Sequence, residues 1–314
     1  MSTMETGTGV SAAEQAAAAA GVRVSPRLVA FDLDGVIWRG DEILPGVRAA
    51  LQHVVGRGLE LRYVSNNSTA HRRTVSERLL RSGLPAGVDR VLTSGFVTAR
   101  WLGARLPAGA PILVVGESGL VEELTDAGLN AYHAGNPPAG PVPAAAVVVG
   151  MDRAIDFAIL AAAQKAVRAG ALFVATNRDA TFPTCEGEVP GAGCIVAAVA
   201  TAAEREPILM GKPSLALAEV LASTTGISAA ETVFVGDRLS TDIVMGKAAG
   251  MITVLVLTGV TTAGELYGLS APKEGQSTGA GHDLPAGTAP EGVLHDHVLA
   301  DLTGLPALLG RLAG

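Results

Sequence analysis

Two aspartates separated by a single residue follow the first apolar run of the chain, in the segment Phe31-Asp32-Leu33-Asp34-Gly35. Residues two apart on a strand face the same side, so the carboxylates of Asp32 and Asp34 can converge on one site. Because adjacent carboxylates repel each other, a cation is needed to balance them. A solvated turn is the alternative interpretation, since Asp-Gly is a common turn dipeptide.

A polar segment, Ser65-Asn66-Asn67-Ser68-Thr69, ends the next apolar run. The hydroxyl of Ser65 and the exposed backbone N–H groups, placed just before a predicted helix, are typical of a phosphate-binding loop. Capping of that helix by Ser68 or Thr69 is the simpler alternative.

Two further segments add a cation and more carboxylates. Lys212 precedes a predicted helix and is one of only four lysines among 23 basic residues, although a surface lysine is the alternative. Asp237 follows a later apolar run and could complete a metal site with Asp32. Asp242, close behind it, either supports that site or caps a helix.

Short apolar runs alternate with amphipathic segments along the chain, which predicts an α/β fold with a mainly parallel sheet. The predicted strands are 28–33, 59–64, 112–115, 145–149, 172–175, 232–235 and 252–257. The predicted helices are 47–55, 72–81, 120–127, 155–169, 215–225 and 241–249. In parallel sheets ligands bind beyond the carboxyl ends of the strands, which is where the polar segments fall.

The composition excludes several classes of protein. A chain of 314 residues with a formal net charge of −7 lacks the basic excess of a nucleic-acid binder. No apolar stretch reaches the roughly 18 residues of a membrane span, and no signal segment is visible, so we expect a cytoplasmic protein. Cys185 and Cys194 are too few for a zinc knuckle or a disulfide framework and are expected to be buried. Residues 1–25 and 270–292 lack the apolar content for packing, so we expect a disordered tail and a mobile loop.

The four polar segments resemble, in order, the motifs of the haloacid dehalogenase superfamily of phosphatases: DLDGVIW, VSNNST, GKPS and VGDRLSTDI. The segments between them are similar to the inserted cap of subclass IIA of that superfamily, at Val115-Gly116-Glu117, Val149-Gly150-Met151-Asp152, Ala175-Thr176-Asn177-Arg178-Asp179 and Pro190-Gly191-Ala192-Gly193. This resemblance implies a doubly wound, mainly parallel Rossmann-like core with an inserted α/β cap domain. It assigns residues 26–106 and 206–314 to the core and residues 107–205 to the cap.

The resemblance also implies a mechanism. Asp32 is the nucleophile that becomes an aspartyl phosphate, and Asp34 is the general acid and then the general base. Mg²⁺ is expected to bind Asp32, Asp237 and the backbone carbonyl of Asp34. Asp242 is expected to orient the catalytic lysine or a metal-bound water.

The same resemblance assigns the substrate contacts. The residues expected to bind the phosphoryl group or the rest of the substrate are Ser65, Asn66, Lys212, Arg178 and Arg238. Arg178 lies in the cap loop 177–187 and is the one cation there that could meet an anionic leaving group, with a surface arginine as the alternative. Phe182 stands where pyridoxal phosphatases resemble one another in carrying a histidine, which argues against that substrate.

The implied function is Mg²⁺-dependent hydrolysis of a small phosphomonoester of the sugar, glycerol, glycolate or nucleoside monophosphate type. A phosphomutase or phosphotransferase with the same site, and a catalytically silent ligand-binding relative, are the alternatives. Proteins of this group commonly pair through their caps, so we expect a homodimer. In the apolar segment 154–169, five residues can face the cap's own sheet: Ile155, Ile159, Ala162, Ala163 and Val167. Phe157 and Leu160 fall toward other faces.

Overall fold

The computed structural model of the protein describes residues 25–140, 142–184, 187–267 and 295–313. Apart from Ser25, the predicted tail lies outside these ranges, as do the predicted mobile loop 270–292 and Cys185. The strands are β1 (Leu28–Asp32), β2 (Trp38–Arg39), β3 (Glu42–Ile43), β4 (Glu60–Ser65), β5 (Val91–Thr93), β6 (Pro111–Val115), β7 (Asn130–His133), β8 (Ala146–Val149), β9 (Leu172–Ala175), β10 (Thr181–Thr184), β11 (Gly187–Pro190), β12 (Ile208–Leu209), β13 (Thr232–Gly236), β14 (Ile252–Val256) and β15 (His297–Leu299). The helices are α1 (Val47–Gly56), α2 (Arg72–Arg81), α3 (Ser94–Gly103), α4 (Ser118–Asp126), α5 (Phe157–Arg168), α6 (Ala192–Ala203), α7 (Leu215–Thr225), α8 (Val244–Ala249), α9 (Ala263–Tyr267) and α10 (Leu305–Ala313).

The first sheet has six parallel strands in the order β15-β14-β13-β1-β4-β5. Strand β1 is buried on both faces: Leu28 and Ala30 point into one apolar cluster and Val29 and Phe31 into another. Helices cover both faces, because Leu217 of α7 packs in the first cluster while α1 and α10 pack in the second. The predicted doubly wound α/β fold is thereby confirmed.

The second sheet has five parallel strands in the order β12-β9-β8-β6-β7. One of its faces packs against α5 and α6, and Ile159, Ala163 and Val167 are buried there, as the helical spacing predicts. Ile155 and Ala162 are partly buried against the same cluster, and so is Leu160, which was expected to fall toward another face. Its other face shares a continuous apolar cluster with the first sheet through α3 and α4. This shared cluster fixes the strand ends of the second sheet against the first.

Several local predictions are corrected by the structure. The helix predicted at 241–249 begins only at Val244, because a π-helical turn occupies Leu239–Ile243. Cys194 is exposed, not buried, because it lies on the outer face of α6. Strands β5 and β7 and helices α3, α6 and α10 were not predicted; β7 is only partly buried and so carries little apolar signal. Among the described helices, none has the length and hydropathy that spanning a membrane requires.

Candidate active site

The carboxyl ends of neighbouring strands in the first sheet bring the predicted acidic residues together. Phe31 pairs with Val235 of β13, and Asp32 pairs with Val64 of β4. Asp32, Ser65 and Asp237 therefore lie at adjacent strand ends. The chain order reverses between β1 and β13, and ligand sites in open α/β sheets occur at such a reversal.

Lys212 reaches this strand edge from the second sheet, three residues after β12, and is only 3% exposed. Its Nζ lies 2.7 Å from Oδ1 of Asp32 and 2.7 Å from Oδ1 of Asp242. Burial lowers the pKa of the ammonium, but the charges of Asp242 and Asp32 outweigh burial and raise that pKa above its ordinary value. The lysine is thus a protonated, fully paired group, which excludes the surface-lysine interpretation.

Asp242 is completely buried and holds the turn that carries Asp237. Its Oδ2 accepts hydrogen bonds from the backbone N–H groups of Asp237, at 3.1 Å, and Arg238, at 3.0 Å. Its Oδ1 is taken by Lys212. Both oxygens thus bind groups of the site, so Asp242 supports the site and does not cap the following helix.

Asp237 is enclosed by a loop that sequence reasoning missed. Its Oδ2 accepts a 2.6 Å hydrogen bond from the backbone N–H of Val260, which follows β14. A Cβ atom at Gly259 would lie 1.8 Å from the same oxygen, so this approach requires glycine. The sequence signal was a glycine two residues after an apolar run, which by itself indicates only a turn.

The three carboxylates fit a divalent metal ion. Oxygen atoms of Asp32, Asp237 and Asp242 lie within 4.8 Å of one another, and Oδ1 of Asp237 is buried without a hydrogen-bond partner. Carboxylate oxygens are the ligands that Mg²⁺ prefers. Since both oxygens of Asp242 are already bound, Asp32 and Asp237 are the side chains with oxygens left for a metal.

The electrostatics of the cluster support the same conclusion. Three carboxylates surround one ammonium, so the cluster holds excess negative charge. Burial, reinforced by Asp242, raises the pKa of Asp237 to about 6. Burial also raises the pKa of Asp32, although Lys212 opposes that shift. A bound divalent cation would remove the repulsion that causes part of both shifts.

Asp34 is oriented by the β2–β3 hairpin. Its Oδ1 accepts a 2.9 Å hydrogen bond from the indole Nε1 of Trp38. The Arg78 guanidinium lies 4.0 Å from the centroid of that indole ring and packs over it. The indole therefore lies between the guanidinium and the protein core, and its hydrogen bond fixes the position of one carboxylate oxygen of Asp34.

The segment 65–69 forms a compact turn at the end of β4. Oγ of Ser65 accepts a 3.1 Å hydrogen bond from the N–H of Asn67. Oδ1 of Asn67 accepts from the N–H of Thr69 at 2.9 Å. The side chain that caps α2 is His71, which makes the predicted alternative of capping by Ser68 or Thr69 wrong.

The two predicted arginines differ in their surroundings. Arg238 lies beside the acidic cluster, where its charge lowers the pKa of Asp237 after the larger effects of burial, Asp242, Val260 and Lys212. The Arg178 side chain is about half exposed and forms an ion pair with Glu206. Substrate contact by either arginine stays a prediction.

Asn66 has neighbours that the sequence did not reveal. Its carboxamide hydrogen-bonds to the backbone of Lys212 and to the carboxylate of Asp179. The backbone carbonyl oxygen of Asn66 accepts hydrogen bonds from Nδ2 of Asn177 at 2.7 Å and from Oγ of Ser94 at 2.6 Å. These contacts join the ends of β4, β9 and β12.

Comparison with known proteins agrees with this site. Residues 29–130 match the model of a haloacid dehalogenase-like hydrolase, and residues 209–277 match a second haloacid dehalogenase hydrolase-like model. The chain is 43% identical over 256 residues to the glycerol-3-phosphate phosphatase of Gallus gallus, an alignment that covers 76% of this chain and 81% of that protein.

Solved structures give the same result. The p-nitrophenyl phosphatase of Archaeoglobus fulgidus superposes with a TM-score of 0.77 and 32% identity over 90% of this chain and 99% of that chain. A magnesium complex of the glycerol phosphate phosphatase of Mycobacterium tuberculosis superposes with a TM-score of 0.73 and 30% identity over 91% of this chain and 78% of that chain. A calcium complex of that protein is also similar, with a TM-score of 0.72 and 32% identity over 89% of this chain and 74% of that chain.

This chain belongs to the haloacid dehalogenase-like hydrolases, in the group that matches subclass IIA. Within that family it is a phosphatase, a hydrolase of phosphoric monoesters, with a site suited to a divalent metal cofactor.

Proposed function

We propose that the protein is a Mg²⁺-dependent phosphatase that hydrolyses a small phosphomonoester through an aspartyl phosphate on Asp32. The observation that carries this proposal is the buried ion pair between Asp32 and Lys212, at 2.7 Å, beside Asp237 and Asp242. A carboxylate alone repels a phosphate dianion. An adjacent buried ammonium offsets that repulsion and lets the carboxylate act as a nucleophile.

Each residue then has a defined step. Asp32 attacks phosphorus in line, and Asp34 donates a proton to the leaving alkoxide. In the second half, Asp34 takes a proton from the water that attacks the aspartyl phosphate. The hydrogen bond from Trp38 leaves one oxygen of Asp34 for this proton transfer. Ser65 and the backbone N–H of Asn66 bind phosphoryl oxygens, and Lys212 neutralises charge throughout.

The metal would be held by the carboxylates of Asp32 and Asp237 and by the backbone carbonyl of Asp34. Bound Mg²⁺ supplies positive charge to the phosphoryl oxygens and to the nucleophile. Asp242 keeps Lys212 and the turn at Asp237 in place.

Residues 107–205, which contain most strands of the second sheet, are proposed to act as the cap and to determine which substrate is hydrolysed. The names of similar proteins, glycerol-3-phosphate and p-nitrophenyl phosphatases, support a small phosphomonoester. Phe182 lies in the β10–β11 hairpin, with the Arg153 guanidinium 5.6 Å from its ring centroid. Arg153 and Arg178 are two described cations near this hairpin that could meet an anionic leaving group, although each forms an ion pair, with Glu117 and Glu206 respectively.

The test is phosphate release from p-nitrophenyl phosphate and from glycerol, glycolate, sugar and nucleoside monophosphates, with MgCl₂ and with chelator. Rapid acid quench with ³²P-labelled substrate should trap a hydroxylamine-sensitive acyl phosphate in the wild type and none in Asp32→Asn. Metal-independent turnover, or equal labelling of the variant, would contradict the mechanism. Transfer of phosphate to an added sugar phosphate instead of water would favour the phosphomutase alternative, and binding without turnover would favour the silent relative.

We also propose a homodimer through the cap. The resemblance to phosphatases that pair through their caps supports this proposal, and Phe157, at the start of α5, is 86% exposed and would be covered in such a contact. Light scattering of the wild type and of Phe157→Asp tests this: the wild type should be a dimer and the variant a monomer, and a monomeric wild type at micromolar concentration would contradict it. The cytoplasmic location stays a prediction from the sequence.

A further inference from the structure

The carboxamide of Asn66 binds both backbone polar groups of Lys212. Its Oδ1 accepts from the Lys212 N–H at 2.8 Å, and its Nδ2 donates to the Lys212 carbonyl oxygen at 3.1 Å. A carboxamide has one acceptor end and one donor end, so it pairs with a residue's backbone as a neighbouring strand would. Asn66 is buried and lies 146 residues away in sequence, so this pairing is a tertiary contact.

This pairing fixes the point from which the lysine side chain starts. Lysine has a long, flexible stem, and the position of its ammonium follows the backbone only if the backbone is held. Gly211 allows the close approach, because a Cβ atom there would lie 2.6 Å from Oδ1 of Asn66. Nζ then lies 2.7 Å from both Asp32 and Asp242.

Asp179 sets the orientation of the carboxamide. Its two carboxylate oxygens lie 3.3 Å and 3.1 Å from Nδ2 of Asn66. Only the N–H end of the amide is favourable beside a carboxylate, so Oδ1 is directed to the Lys212 N–H. Asp179 is two residues before β10, at the base of the hairpin that carries Phe182.

We propose that Asn66 and Asp179 are positioning residues that hold Lys212 between its two carboxylates and couple it to the base of the β10–β11 hairpin. The inference rests on the proposed function for its catalytic consequence, since Lys212 matters to turnover only if Asp32 is the nucleophile. It assigns the Asn66 side chain a role separate from phosphate binding by its backbone N–H. A shift of the hairpin base then alters kcat through Lys212, and not only the affinity for substrate.

The kinetic test exchanges donor and acceptor. Asn66→Asp keeps the shape but puts an oxygen against the Lys212 carbonyl and against Asp179. We expect kcat for p-nitrophenyl phosphate to fall roughly 10–100-fold, the size of one charge-assisted hydrogen bond, with KM changed less than about threefold. Asp179→Asn alone should lower kcat less, by at most about fivefold, since its side-chain oxygen still accepts from Asn66 but no longer carries a charge.

The double variant Asn66→Asp/Asp179→Asn restores a donor opposite an acceptor. We expect it to recover about tenfold of the kcat lost in Asn66→Asp. Independent structural damage would instead make the two losses multiply, and that result would overturn the coupling. Asn130→Asp, the same change at an exposed residue of β7, is the matched control and should leave kcat and KM unchanged.

A second readout does not depend on activity. Selective ¹⁵N-lysine labelling gives backbone amide signals from only four lysines, and the Lys212 signal is assigned by its loss in Lys212→Arg. Hydrogen exchange at Lys212 should be slow in the wild type and about tenfold faster in Asn66→Ala and Asp179→Ala, with Lys165 and Lys247 unchanged. Unchanged exchange at Lys212 in the folded Asp179→Ala protein would refute the role of Asp179, even if Asn66 variants do not fold.

The two proposals fail in distinguishable ways. A wild type that hydrolyses no phosphomonoester defeats the proposed function, while the exchange experiment still decides whether Asn66 and Asp179 hold Lys212. An active wild type with unaltered kcat in Asn66→Asp defeats the positioning role and leaves the phosphatase assignment standing.

Discussion

Asp237→Asn is expected to make the metal-free protein more stable at neutral pH while destroying its activity. Asp237 is buried, and its pKa in the folded protein is raised from 3.8 to about 6, first by burial and then by Asp242. Between these two values the folded state binds more protons than the unfolded state, so the free energy of unfolding falls as pH rises through this window. The loss in the free energy of unfolding caused by ionised Asp237 is complete above about pH 6 and absent below about pH 4.

The structure also sets the magnitude of this effect. A rise from 3.8 to about 6 corresponds to roughly 3 kcal/mol of stability lost at pH 7.5. An asparagine removes that cost but weakens the hydrogen bond from Val260, which is about 1 kcal/mol less favourable to a neutral acceptor. The net gain is then about 1–3 kcal/mol, or roughly 2–6 °C in Tm for a chain of this size.

The assay is thermal unfolding in chelator at pH 7.5 and pH 4.5, followed by circular dichroism. The variant should melt above the wild type at pH 7.5 and no higher at pH 4.5. Mg²⁺ should raise the Tm of the wild type much more than that of the variant, since binding to the folded state stabilises it by mass action. Asp41→Asn, at a fully exposed carboxylate, is the control and should not reproduce the gain in Tm at pH 7.5. A variant that is less stable than the wild type at pH 7.5, or a gain that does not depend on pH, would refute the reasoning.

Three further outcomes are expected. Asp32→Asn should lower turnover by several orders of magnitude with the fold intact, whereas Asp34→Asn should lower it about 10²–10⁴-fold. Turnover of folded Asp32→Asn at or above that of Asp34→Asn would contradict the role of Asp32 as nucleophile. Activity should require Mg²⁺, and Ca²⁺ should inhibit it, because Ca²⁺ takes more oxygen ligands at longer distances and would draw both Asp32 oxygens onto the metal; equal rates with either ion would argue against this. Trp38→Phe should keep the packing under Arg78 but remove the hydrogen bond to Asp34, so we expect kcat to fall about 3–10-fold with KM unchanged, and a change confined to KM would show that Trp38 does not act through Asp34.

The main residues of the site could be predicted from the sequence because they lie at the carboxyl ends of apolar strands. Strand β1 is apolar at every position before Asp32, as a strand buried on both faces must be, and the polar residue after it has to lie at the carboxyl edge. Ser65 is the last residue of β4 and Asp237 follows β13, so both lie at the same edge. Local pattern and the geometry of parallel sheets were enough to predict that these residues share one edge.

Contacts that depend on distant loops could not be predicted in this way. The N–H of Val260 that binds Asp237 comes from a loop 23 residues further along the chain, and Asn66 binds Lys212 across 146 residues. No local periodicity encodes which backbone group a side chain will meet, because that depends on how separate loops pack. The exposure of Cys194 is of the same kind, since α6 is apolar nearly all round and only the packing of the second sheet decides which face is covered.

The sequence by itself therefore determined the α/β class, the strands whose ends carry the site, and the chemical types found at those ends. Only the tertiary structure showed that Lys212 follows a strand of the second sheet. It also showed that both oxygens of Asp242 bind neighbouring groups and that the carboxylate of Asp179 accepts a hydrogen bond from Asn66. The physical reason is that short-range periodicity of the sequence encodes which faces of strands and helices are buried. Which donor binds which acceptor depends instead on how the two sheets and their loops pack together.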